Sequence, residues 1–191
     1  MSLLFSGVAL LTYILARISL RLALAAAAIF PIAILATSWR TLLPQQRALL
    51  AHRLKTGILA GLLATGAYDL TKFVLSQFES STYRPFELMR VFGVLLLGAG
   101  APVPAVYAAG VGFHVMNGVC FAVAYWLLFG RYGVKAAIFW GLFLEVFQLT
   151  LYPGWLQIKF YKEFVQISAA SHLVYGTVLG FGCRWLNTRL R

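Results

Sequence analysis

Acidic side chains are almost missing from this chain. Five of them, Asp69, Glu79, Glu87, Glu145 and Glu163, stand against sixteen Lys and Arg in 191 residues. Charged residues together make up 11%, less than half of the roughly one quarter usual for soluble proteins. So few charges cannot solvate a chain that is 61% hydrophobic with a mean hydropathy of +0.84, and the composition defines an integral membrane protein. Cysteine is scarce too. Cys120 and Cys183 fall in apolar segments without a CxxC spacing, which removes a thiol redox motif and leaves two small hydrophobes. Also missing are GxSxG, HExxH, a Walker motif and the multi-histidine pattern of membrane di-iron oxidases, so the sequence leans away from catalysis. The net charge of +11 does not point to nucleic acid, because the basic residues sit at the ends of apolar segments, where membrane topology places them.

What is abundant is apolar length. Runs at 3–16, 22–38, 57–78, 105–129, 134–152 and 165–186 read as helices, and about 20 residues are needed to cross a bilayer. The expected fold is all-α: a polytopic transmembrane helix bundle of six spans, or five. The first two runs are short and separated by Arg17 and Arg21, so they read as a pair of spans, a re-entrant hairpin, or one span after an interfacial helix. No basic n-region precedes the first run, which is expected to stay in the mature protein. Residues 1–50 form an amino-terminal part with a basic loop, and 51–191 a four-helix core. Arg40, Arg47, Arg53, Lys55, Arg131, Lys135, Arg184, Arg189 and Arg191 lie on one side with no acidic residue among them. That side is expected to be cytoplasmic, with the carboxy terminus there, in a bacterial inner membrane. Tyr83, Tyr152, Trp155 and Tyr161 suit the opposite membrane interface.

Two polar interruptions stand out in the apolar runs, "FHVMNG" at 113–118 and "SHLVYG" at 171–176. In each a histidine precedes a glycine by four residues. Gly110 and Gly118 flank His114, and Gly176 and Gly180 follow His172, a small-residue spacing that lets helices approach closely in lipid. The preceding runs carry one carboxylate each, Asp69 and Glu145. The chain from 57 onward therefore reads as two tandem hairpins, each a carboxylate helix followed by a His-Gly helix. At about 1.5 Å per residue, all four groups fall between the middle and the outer third of the membrane.

The stretches "GLLATGAYD", "FHVMNGVCFAVAYWLLFG" and "SHLVYGTVLG" resemble an uncharacterised group of small bacterial multi-pass membrane proteins, over residues 57–186 in outline. The resemblance implies the topology and carries no activity.

Ionisable groups inside a membrane are costly and commonly mark ion paths, proton relays or counter-ions. The leading expectation is a non-enzymatic proton- or cation-binding or transport protein. Its polar layer comprises Asp69, His114, Asn117, Glu145, Gln148, His172 and Tyr175. His114, Glu145 and His172 have the donor atoms for a divalent metal, with Asn117, Gln148 and Tyr175 around them. A bis-histidine haem b between His114 and His172 is a second expectation. A third is an accessory subunit of a larger membrane redox or energy-converting complex, whose partners are other membrane subunits and lipid. Simpler roles compete: Asp69 pairing with Lys72 three residues on, or each histidine hydrogen-bonding between helices. Glu145 has no Lys or Arg within four residues and is the hardest to explain as surface chemistry.

Overall fold

The computed structural model describes residues 4–79, 84–157 and 161–190, and these are almost entirely helical. The helices are α1 (Phe5–Ala16), α2 (Leu20–Thr41), α3 (Pro44–Ser76), α4 (Glu87–Leu97), α5 (Val103–Phe129), α6 (Gly133–Leu156) and α7 (Tyr161–Arg189). Four stretches are long and apolar enough to cross a membrane: Leu20–Thr41, Pro44–Ser76, Val103–Leu156 and Tyr161–Arg189. The third holds both α5 and α6. Between them a 3-10 turn at Gly130–Tyr132 leads to Gly133, whose φ of 74° suits a residue without Cβ. The other breaks also have local causes. Arg17 closes α1 in the left-handed region, the Ser19 side chain accepts from the Leu22 N–H, and Pro44 opens α3, where its missing N–H has no helical partner.

Pairs of touching residues fix the directions. Gly57 meets Val123 and Gly118 meets Thr65, so α3 and α5 run antiparallel. Tyr68 meets His172 and His52 meets Asn187, so α3 and α7 do too. Gly141 meets Gly176 and Gly180 meets Val134, which makes α6 and α7 antiparallel. The chain therefore reverses between α5 and α6. In the packing, α3 lies between α5 and α7, α6 flanks α7, and α4 flanks α5. Named contacts between α5 and α6 lie close to their connecting turn, where the Tyr125 hydroxyl donates to the Gly133 carbonyl and Phe129 meets Trp140.

These helices pack through missing side chains. A Cβ on Gly110 would overlap the Met89 carbonyl, one on Gly118 would overlap Thr65, and one on Gly180 would lie 2.8 Å from Val134 Cα. At Gly176 it would lie 2.5 Å from the Ala137 carbonyl oxygen and 2.8 Å from Ile138 Cα. The four glycines thus lie at helix contacts, although Gly110 faces α4 and Gly118 faces α3 rather than one shared partner. Away from these contacts the surface is apolar, with Ile29, Phe30, Ile32, Phe139, Val146 and Phe181 all exposed. Such a surface requires lipid or another protein around it.

Of the forms open for the two amino-terminal runs, a single long helix after a shorter one fits the described residues, since α1 has 12 residues, about 18 Å, against a core about 30 Å thick. Helix α4 was not expected, because eleven residues that include Glu87 and Arg90 give no span signal. A division at residue 50 falls inside α3, which runs unbroken from Pro44. Trp155 and Tyr152 are not purely interfacial either. They join Tyr13 and Phe92 in a cluster that ties α1 and α4 to the end of α6. Tyr83 and Arg191 lie outside the described residues.

Candidate functional site

Two of the close helix contacts have a polar pair one turn further along. Gly118 lets α5 approach Thr65 of α3, and four residues along both helices His114 Nε2 meets Asp69 Oδ1 at 2.9 Å. Gly176 and Gly141 bring α7 and α6 together, and one turn away His172 Nδ1 meets Glu145 Oε2 at 2.7 Å. The spacing of the two histidine motifs follows from this arrangement. Glycine removes the bulk, and the histidine one turn away spans the gap that closeness creates.

The two pairs differ in surroundings. Asp69 and His114 are partly exposed, whereas Glu145 and His172 are buried. Around the buried pair the hydrogen bonds are directional. Gln148 Nε2 donates to Ser168 Oγ at 3.0 Å, and Ser168 Oγ donates to Glu145 Oε2 at 2.7 Å. His172 Nδ1 also lies 3.0 Å from the Ser168 carbonyl oxygen, which can only accept, so Nδ1 carries the hydrogen and donates there beside Glu145 Oε2, and Nε2 is left for other partners. Both Glu145 Oε1 and Asn117 Oδ1 are buried without a hydrogen-bond partner among the described residues.

Tyr68 joins the pairs. Its ring centroid lies 5.8 Å from that of His114 and 4.9 Å from that of His172. Lys72 Nζ, 2% exposed, donates to the Tyr68 hydroxyl at 3.1 Å, and the Ser168 side chain lies within reach of the same hydroxyl. A cavity of about 80 Å³ opens here, lined among others by Tyr68, Lys72, His114, Asn117, Gln148 and His172. A second, of about 60 Å³, shares Asn117, Gln148 and His172 and reaches Gly7 and Leu10 of α1. One water needs roughly 10–15 Å³ by this measure, so each space has room for several.

The expected polar residues are arranged as two carboxylate–imidazole pairs about a tyrosine. Asn117 and Gln148 line the cavities, with Gln148 acting on the buried pair through Ser168. Tyr175 also lines the larger space, but its hydroxyl donates to the Gly118 carbonyl at 2.7 Å and ties α7 to α5. The proposed metal set does not come together, since His114 is engaged by Asp69 while Glu145 and His172 pair with each other. No group of three His, Cys, Asp or Glu that suits a metal occurs among the described residues. A haem does not fit either: the Tyr68 ring contacts both histidines, and about 80 Å³ is far below the roughly 300 Å³ that even a drug-sized ligand takes. Asp69 has His114 as its ion-pair partner, in place of the expected Lys72.

Tyr68, Lys72 and Ser168 were not read from the sequence as part of the site. Their signal is helical spacing alone, with Tyr68 beside Asp69, Lys72 one turn on, and Ser168 one turn before His172.

The structure defines an α-helical bundle of membrane type with a polar, cavity-bearing interior. No family model matches the chain, and no curated protein or solved structure matches it.

Proposed function

We propose that the chain is a multi-pass membrane protein that carries protons across part of the bilayer through the Tyr68 site. The observation behind this is the pair of carboxylate–imidazole contacts flanking one tyrosine beside spaces large enough for water. Imidazole suits the task because it takes a proton on one nitrogen and gives one from the other. Water in the two spaces would connect His114 to His172 across Tyr68.

In this reading α2, α3, α5, α6 and α7 each cross once, in the inner membrane of a bacterium, with α1 entering only part-way. The carboxy terminus lies in the cytoplasm, where the basic residues without acidic neighbours collect. A reporter active only in an oxidising compartment, fused after Arg191, should stay inactive. Activity there inverts the orientation.

The function is tested in vesicles containing the purified protein and a trapped pH indicator, under a potassium diffusion potential. Proton entry should exceed that in protein-free vesicles. Tyr68→Phe keeps the ring between the histidines and removes the hydroxyl, and should slow entry on the order of tenfold or more. Wild-type entry equal to empty vesicles would sink the proposal and leave an accessory-subunit role as the better account.

A further inference from the structure

The lower half of α2 stands away from the bundle. Its buried residues, Leu20 and Ala23, lie in the first turn and pack with α1 and α4. Pro31 then removes one backbone hydrogen bond in mid-helix, and from Ile32 to Thr41 no residue is buried. The turn into α3 is nevertheless well held. Arg47 donates from Nε to the Leu42 carbonyl at 2.9 Å and from Nη2 to the Arg40 carbonyl at 3.3 Å, and the Gln46 side chain accepts from the Leu43 N–H. A fixed turn joining two diverging helices makes a groove rather than a frayed end.

That groove encloses about 740 Å³ between α2 and α3. Ile32 and Leu35 form one wall, Ile58 and Leu59 the other. Apart from Arg40 and Lys55, every lining residue is apolar, and these two exposed cations stand on opposite walls, Arg40 nearest the α2–α3 turn and Lys55 part-way along α3. Trp39, a residue suited to the membrane interface, lines the groove beside Arg40. No acidic residue precedes Asp69, so nothing in this part of the sequence neutralises the pair.

We infer that this groove binds an anionic phospholipid, its phosphate between Arg40 and Lys55 and an acyl chain along Ile32, Leu35, Ile58 and Leu59. The charge selects the occupant. One cation on each wall of an apolar groove between membrane helices matches a phosphate headgroup on a hydrocarbon tail, and a neutral lipid or an apolar partner helix gains nothing from the two cations. The site is separate from the Tyr68 cavity and stands whether or not that cavity carries protons.

The test uses the full chain in vesicles of phosphatidylcholine doped with brominated phosphatidylglycerol or brominated phosphatidylcholine. Trp39 quenching is taken as the difference between wild type and Trp39→Phe. Brominated phosphatidylglycerol should quench Trp39 at far lower mole fraction than its zwitterionic counterpart. Each basic residue near the surface contributes about fivefold, so R40Q combined with K55Q should abolish a preference of about 30-fold. Both residues are exposed and off the turn's hydrogen-bonding side chains, so the double variant should keep wild-type thermal stability. Equal quenching by the two lipids overturns the inference, as does a preference that survives in the double variant. Quenching by neither lipid also overturns it, since the groove is then covered by protein, such as a second copy.

Discussion

Gly176→Leu should cost about 3 kcal/mol or more of stability in detergent or bicelles, enough to part α6 from α7. Even the first added carbon would lie 2.5 Å from the Ala137 carbonyl oxygen and 2.8 Å from Ile138 Cα. Both are backbone atoms, so no side chain can turn aside to make room, and the two helices must separate along their length. Gly141 stands opposite, where a Cβ would lie 3.2 Å from Gly176 Cα, so the closeness is made from both helices. Separation there also opens the Glu145–His172 pair one turn away. The control is Gly66→Leu on α3, where an added Cβ meets nothing within 4 Å and the residue is exposed. That change should stay within about 0.5 kcal/mol. Thermal or denaturant unfolding of the two variants separates a packing contact from a general intolerance of leucine. Equal losses at both positions would mean that Gly176 is not the close contact described.

The long helices and the glycine contacts were legible because both follow from local rules. An apolar run of about 20 residues has few solutions in a bilayer, and a glycine four residues from an intramembrane polar group marks where a neighbour comes close. The hairpin order put one carboxylate and one histidine on each successive pair of long helices, without saying which would meet. Other features depended on three-dimensional detail. Helix α4 was hidden because its charged first turn, with Glu87 paired to Arg90, resembles a loop in a hydropathy reading. Lys72 looked like a lysine at the outer boundary, yet it is buried and lines the cavity together with Leu88 and Met89 of α4. Tyr68 and Ser168 carry neither charge nor a motif, and hydropathy gives no reason to single out one hydroxyl among many in apolar helices. The division of the layer into two pairs has a related cause. Depth along a helix axis can be counted in sequence, but the rotation that sends His114 to Asp69 and His172 to Glu145 depends on which helices become neighbours.

Glu145 and His172 should behave as a coupled unit. Glu145→Ala leaves Ser168 without its acceptor and His172 without the carboxylate beside it in a buried site, and His172→Ala leaves the carboxylate without its imidazole. Each single change should cost about 3–5 kcal/mol, the usual penalty for breaking one side of a buried pair. The double variant should cost clearly less than the sum, with a coupling of about 2 kcal/mol or more. Additive losses would mean that the 2.7 Å contact contributes nothing specific. Glu145→Gln then separates structure from function. Glutamine keeps the shape and still accepts from Ser168, while His172 Nδ1 keeps the Ser168 carbonyl, so stability should fall by only about 1 kcal/mol. It cannot take up and release a proton, so proton entry into vesicles should drop on the order of a hundredfold. Asp69→Asn, at the partly exposed pair, should cost less stability because water can reach the amide. If Glu145→Gln folds normally and conducts normally, the buried pair is a tie between α6 and α7, and a proton path, if there is one, runs through His114 and Asp69 alone.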